Sequence, residues 1–246
     1  MSHTLSIIIP AYNEAQTIEL ILGKIMSVTL GEKLKKEVLV VNDASTDGTP
    51  QIVEKFMARF PDENIRLISQ KENLGKGAAI HRGIEEATGD FIVIQDADTE
   101  YDPREYARLL QPVLEGFADV VYGSRFAGGQ PHRILFFWHS LGNKLLTTLS
   151  NMFTNLNLTD MESCYKLFRA EHLKSLLLKE KRFGFEPEVT AKIARIPGIR
   201  IYEVGISYYG RTYNEGKKID WKDGFRAIYC VLRYNIFDRK AFKIDT

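Results

Sequence analysis

The sequence predicts an α/β fold in a single domain, with a mostly parallel sheet flanked by helices. In the first half of the chain, short runs of β-branched and apolar residues alternate with helical patterns. No linker, internal repeat or Ser/Pro-rich tract interrupts this alternation. Strands and helices that alternate at this spacing are joined by right-handed crossovers, which makes the strands parallel and covers both faces of the sheet.

Five strands are predicted in this half, at residues 5–10, 37–42, 65–69, 91–96 and 120–124. Helix starts are predicted from capping patterns, at Asn13 with Gln16, at Thr49 before Pro50, and at Asp102-Pro103 with Glu105 as a capping box. A further helix begins near Lys76, and Gly89 is predicted to end it.

In the second half of the chain, strand and helix patterns no longer alternate regularly. A loop at 126–132 leads into a helical stretch rich in aromatic residues and leucine, and a short strand (164–168), two helices (171–178 and 186–196) and a strand (199–207) follow. The last segment, 221–236, is predicted to form an amphipathic helix whose apolar face contains Trp221, Phe225, Ile228, Leu232 and Ile236.

Composition excludes several classes of protein. The 246 residues are 44% hydrophobic and 26% charged, which is typical of a globular domain and not of disordered or collagen-like chains. The 33 Lys and Arg nearly balance the 32 Asp and Glu, so we expect no nucleic-acid partner. The first apolar run breaks at Pro10, too early for a signal peptide or a membrane span, and with only two cysteines the chain is expected to be cytoplasmic.

Polar segments follow four of the predicted strands. In an open parallel sheet, ligands bind outside the carboxyl ends of the strands. These segments are therefore expected to share one edge of the sheet: Pro10-Ala11-Tyr12-Asn13-Glu14, Asn42-Asp43-Ala44-Ser45-Thr46-Asp47-Gly48, Asp96-Ala97-Asp98 and Gly123-Ser124-Arg125.

Asp96 and Asp98 are two positions apart at a strand end, where alternation points both carboxylates the same way. Such a pair suits a hard divalent cation that bridges a diphosphate, and Glu100 is a candidate third ligand. The same pattern is also typical of turn formers and helix caps.

Glycines and cations add to this pattern. Gly75, Lys76 and Gly77 open a helix, but Ile80 replaces the third glycine of a dinucleotide fingerprint. Arg125 lies near the acidic pair, and Arg211 with the pair Lys217-Lys218 lies in a later loop. Cations of this kind stabilise a diphosphate leaving group, although loop cations often only solvate the surface.

Taken together, the motifs resemble those of glycosyltransferase family 2, whose members have the Rossmann-like GT-A fold and invert the configuration of the sugar. The resemblance covers about the first two thirds of the chain and is strongest to the polyprenyl-phosphate hexosyltransferases, the dolichol-phosphate mannose and glucose synthases. The matching segments are the four polar segments above, Asn73-Leu74-Gly75-Lys76-Gly77, Thr159-Asp160 and 160–168.

The resemblance implies a role for each matching residue. A nucleotide sugar would be bound by Pro10, Tyr12, Glu14, Asp43, Gly75, Lys76, Gly77, Asp96, Ala97 and Lys218. Asp96, Asp98 and Glu100 would hold Mg²⁺ or Mn²⁺, and the catalytic residues would be Asp98, Asp160, Arg125 and Arg211. Asp160 is the first candidate for positioning or proton removal, with Glu186 or Glu188 next. Two features depart from the family pattern. Asn42 replaces an aspartate. The 211–218 loop is about one residue longer, so Lys217 and Lys218 are alternatives for the phosphate contact.

The expected activity is transfer of glucose or mannose from a UDP- or GDP-sugar to a polyprenyl phosphate. Residues 1–125 would bind the nucleotide sugar, and residues 126–246 the acceptor. The segment 134–138, near Arg133 and Lys144, and the last helix are candidates for peripheral contact with the membrane, with burial in the core as the alternative. A hydroxyl acceptor, a catalytically silent sugar-nucleotide-binding subunit and a nicotinamide oxidoreductase are the competing hypotheses.

Overall fold

The centre of the protein is one sheet of seven strands. In chain order these are β1 (His3–Ala11), β2 (Leu34–Asn42), β3 (Ile65–Ser69), β4 (Phe91–Ile94), β5 (Val120–Ser124), β6 (Lys166–Arg169) and β7 (Ile201–Gly205). The helices are α1 (Ile18–Ser27), α2 (Thr49–Arg59), α3 (Lys76–Glu86), α4 (Tyr106–Leu114), α5 (Phe137–Thr154), α6 (Ala170–Ser175), α7 (Phe185–Ile193) and α8 (Trp221–Leu232), which continues into a π-helical turn, Arg233–Phe237. This computed structural model describes residues 2–31, 33–128, 131, 133–134, 136–210 and 221–243, with side chains from residue 224 in the last stretch.

The sheet order is β3-β2-β1-β4-β6-β5-β7. All pairs are parallel except those of β6, which runs antiparallel between β4 and β5. The prediction of a mostly parallel α/β sheet is therefore confirmed. The carboxyl ends of β1, β2, β4 and β5 lie at one edge, and the start of β6 lies at that edge because β6 runs the opposite way.

Helices cover both faces of the sheet, as predicted. Along β1, Ile7 and Ile9 pack against α1, α2 and α4, whereas Ile8 packs against α3, α6 and α7. The two faces are buried because alternate side chains of a strand point to opposite sides. Strands that are buried on both faces read as continuous apolar runs, which is why β1 is apolar from Ile7 to Ile9.

The five strands predicted in the first half are all present, and three predicted helix boundaries need correction. The first helix begins at Ile18, because Asn13 has a left-handed backbone (φ +54°) and its Oδ1 accepts the Thr46 amide at 2.8 Å. Glu105 completes no capping box. Asp102 does cap the Arg104 amide, but the Glu105 carboxylate accepts from the amide of Ser207 at 3.1 Å.

Gly89 does not end α3, which stops at Glu86. The glycine is needed further on, because a Cβ there would come within 2.6 Å of the Thr4 carbonyl oxygen on β1. In the second half, the predicted strands and helices are all present with shifted ends, and β6 and β7 complete the sheet begun by the first half.

The predicted apolar face of α8 is not the face that packs on the protein. Among the side chains described in this helix and the turn after it, Ala227, Cys230, Val231 and Tyr234 are buried. Phe225 and Ile236 are exposed, and Trp221 and Lys222 have side chains outside the described part of the chain. The helix therefore carries aromatic and aliphatic groups on its outer side.

Candidate functional site

A cleft with a volume of about 340 Å³ opens at the carboxyl edge of the sheet. Segments that follow β1, β2, β4 and β5 form its floor, and the start of α3 closes one side. Eleven of the residues predicted from sequence line it: Pro10, Tyr12, Glu14, Asp43, Gly75, Lys76, Asp96, Ala97, Asp98, Glu100 and Arg125. The shared edge predicted for the four polar segments is thus observed, whereas Arg211, Lys217 and Lys218 lie outside the described residues.

At one end of the cleft, Asp43 organises the loop that leads into α3. Its carboxylate accepts the backbone amides of Leu74 and Gly75, each at 2.8 Å, and the side-chain amide of Gln70 at 2.8 Å. Asp43 therefore shapes this end of the cleft, and the half-exposed Tyr12 ring lies on the same wall.

Gly75 and Gly77 are required by close packing. Gly75 has φ +98°, and a Cβ on it would lie 2.6 Å from the Lys181 carbonyl oxygen. A Cβ on Gly77 would collide with the Glu180 carbonyl, and Gly77 does not line the cleft, contrary to the prediction that it binds the nucleotide sugar. The two glycines let the loop before α7 dock on α3, which gives them a packing role independent of any dinucleotide.

Lys76 joins the acidic motif to the start of α3. Its Nζ lies 2.5 Å from Oδ1 of Asp96 and donates to Sγ of Cys164 at 3.0 Å. Burial, the largest single influence, favours the neutral amine, but Asp96, Cys164 and Glu186 together outweigh it and raise the pKa of Lys76 well above its usual value. The ammonium is therefore held beside the Asp96 carboxylate in the lining of the cleft.

Asp96 and Asp98 both line the cleft, and the predicted three-carboxylate metal site is not assembled around them. Oδ1 of Asp98 accepts the Glu100 amide at 3.0 Å, and Oε2 of Glu100 accepts the Tyr208 hydroxyl at 2.9 Å. Within the described ranges, no three acidic, His or Cys side chains are grouped closely enough to hold a metal. Two carboxylates still fit Mg²⁺ or Mn²⁺, because such cations keep waters and take other ligands from substrate phosphates.

Arg125 is the cation on the opposite side of the cleft, and Asp160 holds it there. The guanidinium donates from Nε and Nη2 to the two carboxylate oxygens of Asp160, both at 2.7 Å. Burial, the largest single influence, opposes the charged form of Arg125, but Asp160, Tyr101 and Tyr208 together outweigh it and raise the pKa of the arginine above its usual value. The guanidinium also lies 5.3 Å from the centre of the Tyr208 ring.

Asp160 itself is fully buried and does not line the cleft. Its carboxylate also accepts from the Arg125 amide at 3.1 Å and from Nδ2 of Asn143 at 3.2 Å. Of the two roles predicted for Asp160, positioning and proton removal, this geometry favours positioning, because Arg125 engages both carboxylate oxygens.

Glu186 and Glu188 are buried and do not line the cleft either. Oε1 of Glu188 is 2.5 Å from Nζ of Lys192, and the carboxylate accepts the amides of Lys179 and Glu180. These contacts of Glu188 hold the loop before α7, and both oxygens of that carboxylate are engaged.

Several residues of the cleft were not predicted from the sequence: Asn73, Ala79, Tyr101, His139, Glu162, Cys164, Arg182, Phe183 and Tyr208. Arg182 and Phe183 arrive with the loop between α6 and α7, and Tyr208 follows β7. The sequence signal for the loop was the pair of glycines at the start of α3, which indicates a close approach without naming the partner.

Comparison with known proteins identifies the same family that the sequence motifs resemble. The model of the family described as glycosyl transferase family 2 matches residues 6–177. The undecaprenyl-phosphate mannosyltransferase of Micrococcus luteus is 32% identical over 94% of this chain and 94% of its own length. The dolichyl-phosphate beta-glucosyltransferase of Trichomonas vaginalis is 29% identical over 98% of this chain and 76% of its own length.

Among solved structures, the fold is similar to that of glucosyl-3-phosphoglycerate synthase from Mycobacterium tuberculosis, in complex with Mn²⁺, UDP and glucosyl-3-phosphoglycerate. The TM-score is 0.71 at 21% identity, and the match covers 95% of this chain and 80% of that one. At this identity the similarity establishes a shared fold.

Proposed function

The chain belongs to glycosyltransferase family 2, and on this premise we propose that it is an inverting, metal-dependent hexosyltransferase that uses a UDP- or GDP-sugar and a polyprenyl phosphate acceptor. The transferred hexose is glucose or mannose. The names of the relatives from Micrococcus luteus and Trichomonas vaginalis support this acceptor class, since both include a polyprenyl or dolichyl phosphate. Because both relatives match nearly the whole of this chain, the comparison applies to the complete cleft.

One observation carries the proposal: a single cleft brings the Asp96–Asp98 pair together with the cations Lys76 and Arg125. A nucleoside diphosphate consists of a flat base, a ribose and an anionic diphosphate. Its base and ribose fit the end formed by Tyr12 and the Asp43 loop, and its phosphates fit the part where the cations lie. The carboxylate pair would hold Mg²⁺ or Mn²⁺ there, and the bound cation would neutralise charge on the diphosphate.

In the reaction, an oxygen of the acceptor phosphate forms a bond to the anomeric carbon while the bond from that carbon to the diphosphate breaks. Charge builds on the departing oxygen, and Arg125, held rigidly by Asp160, is placed to stabilise it. The acceptor phosphate is already ionised and needs no general base. This agrees with the finding that Asp160 and Glu188 are both committed to buried ion pairs.

A lipid acceptor requires contact with a membrane, and α5 offers a surface for it. This helix buries the polar residues Asn143, Thr147 and Ser150. Its outer side, which we term the α5 apolar surface, is exposed and consists of Phe137, Trp138, Leu141, Leu145 and Met152. Leu146 and Leu149 of the same helix already pack against the core, so the α5 apolar surface is apolar area that the fold leaves exposed, which supports docking on a lipid surface. Within the described residues, no helix is both long and apolar enough to cross a bilayer.

The function is tested by giving the purified protein UDP-glucose or GDP-mannose with undecaprenyl phosphate in detergent, with and without Mn²⁺. We expect release of UDP or GDP and a radiolabelled sugar in the lipid phase, both dependent on Mn²⁺. A thermal-shift screen with the same nucleotides should show a higher melting temperature for the donor that is used. Binding of a donor without transfer to any acceptor would instead favour the catalytically silent subunit.

The α5 apolar surface predicts a defect in membrane binding. Replacing Phe137 and Trp138 with serine should reduce co-flotation with phosphatidylglycerol vesicles by roughly tenfold, because two large apolar side chains no longer enter the interface. Transfer to a short, water-soluble polyprenyl phosphate should stay within about twofold of the wild-type rate, because neither residue lines the cleft. Equal flotation of variant and wild type would show that this surface does not contact lipid.

A further inference from the structure

Glu162 lines the cleft, and the proposed mechanism does not use it. It lies in the segment between Asp160 and β6. Its Oε1 is buried and has no hydrogen-bond partner in the part of the chain that the structure describes. Buried polar oxygens are normally paired, and leaving one unpaired costs about 1–3 kcal/mol. Glu162 thus combines a place in the cleft lining with a buried carboxylate oxygen that has hydrogen-bonding capacity to offer a bound ligand.

The topology places Glu162 on the sugar side of the cleft. Because β6 runs antiparallel between β4 and β5, the segment that enters it lies between the Asp96–Asp98 motif and Arg125. Tyr12 and Asp43 follow β1 and β2, on the other side of the acidic motif. A donor with its base at β1 and β2 and its diphosphate at the acidic motif thus extends its hexose toward Glu162.

The described neighbours of Glu162 leave its Oε1 without a hydrogen bond. The nearby Lys166 ammonium donates to the Ser163 carbonyl and lies 5.1 Å above the Tyr122 ring. No ion pair within 4 Å joins Glu162 to a lysine or arginine among the described residues. Burial, together with repulsion from Glu186, raises the pKa of Glu162 to about 8. At neutral pH the carboxyl group is therefore mainly protonated, and it presents one donor and one acceptor, as a sugar hydroxyl does.

We propose that Glu162 binds a hydroxyl group of the donor's hexose and thereby contributes to the choice of sugar. This inference rests on the proposed function, since it takes the ligand of the cleft to be a nucleotide sugar. The residue binds the part of the donor that distinguishes UDP-glucose from UDP, so its removal affects the sugar conjugate and leaves the bare diphosphate alone.

The test is calorimetry with UDP, UDP-glucose, GDP and GDP-mannose in the presence of Mn²⁺, on wild type, Glu162→Ala and Glu162→Gln. Glu162→Ala should bind the sugar conjugate on the order of 10- to 100-fold more weakly, while the affinity for the matching diphosphate stays within about twofold. Glu162→Gln should recover most of the loss, because the amide also offers a donor and an acceptor. Glu171→Gln, which removes an exposed carboxylate on α6 outside the cleft, serves as the matched control.

Each outcome decides the question. If Glu162→Ala weakens the diphosphate and the sugar conjugate equally, or weakens neither, the inference is wrong while the proposed function stands. If wild-type protein binds none of the four nucleotides, the proposed function fails and the inference fails with it. Melting temperatures of both variants, measured without ligand, show whether a loss of affinity comes from unfolding, and Glu162→Gln then decides in place of an unfolded alanine variant.

Discussion

Replacing Asp98 with alanine is expected to lower the rate of hexose transfer by on the order of 10³-fold at saturating donor, because the cation at the diphosphate loses a ligand and several kcal/mol of charge stabilisation. The melting temperature should change by less than that of a core variant, since the side chain is only partly buried. The measurement is the initial rate of nucleoside diphosphate release at a fixed Mn²⁺ concentration.

Asp98→Asn distinguishes the effect of losing the negative charge from the effect of losing the hydrogen bond in the local turn. Asparagine retains an oxygen that can accept the Glu100 amide, but it lacks the negative charge that binds the cation. We expect it to be nearly as inactive as Asp98→Ala, with an apparent requirement for Mn²⁺ shifted to higher concentration. An Asn variant that turns over at the wild-type rate would contradict the metal site at Asp96 and Asp98.

Replacing Asp160 with alanine is expected to reduce the free energy of unfolding by about 3–5 kcal/mol, because the buried guanidinium of Arg125 loses its partner. Transfer should also fall by on the order of 100-fold or more in the fraction that remains folded, since Arg125 is no longer held toward the diphosphate. Urea unfolding at pH 7 measures the first effect, and initial rates at saturating donor measure the second.

A double variant distinguishes these two effects. Arg125→Met with Asp160→Leu replaces the buried pair with apolar side chains of similar size, a change that is often neutral or stabilising. We expect stability to recover while transfer stays lost. An Asp160→Ala protein as stable as wild type would show that the pair contributes nothing to folding, and a double variant with normal transfer would remove Arg125 from the mechanism.

Much of the fold was accessible from sequence because the local signals agree with the tertiary structure. The strands β1, β2, β4 and β5 are apolar runs followed by polar residues, and these polar residues form the floor of the cleft. The boundary errors have a tertiary cause: Asn13 is used to hold Thr46, and Glu105 is used to hold Ser207 near β7. Neither partner can be identified from the residues that surround Asn13 or Glu105 in the sequence.

The site was predictable where it is built from strand ends and not where distant segments meet. Asp160 has the residue type of a catalytic acid, but only the structure shows that Arg125, 35 positions earlier, takes both its oxygens. Glu162 lies in the matched segment 160–168 but was given no role from the sequence. What distinguishes it is the absence of a described partner at Oε1. A missing contact leaves no pattern in a sequence.

The position of β6 has a consequence for how the protein is made. The neighbours of β5 in the sheet are β6 and β7, both of which are encoded later, so residues 120–124 leave the ribosome before any strand that can pair with them. A nascent chain that ends near residue 125 contains the arginine of the cleft without the aspartate that neutralises it. The strand before Asp96 and Asp98 pairs with β1, which is made earlier, so the Arg125 side of the cleft is completed later in synthesis than the acidic side.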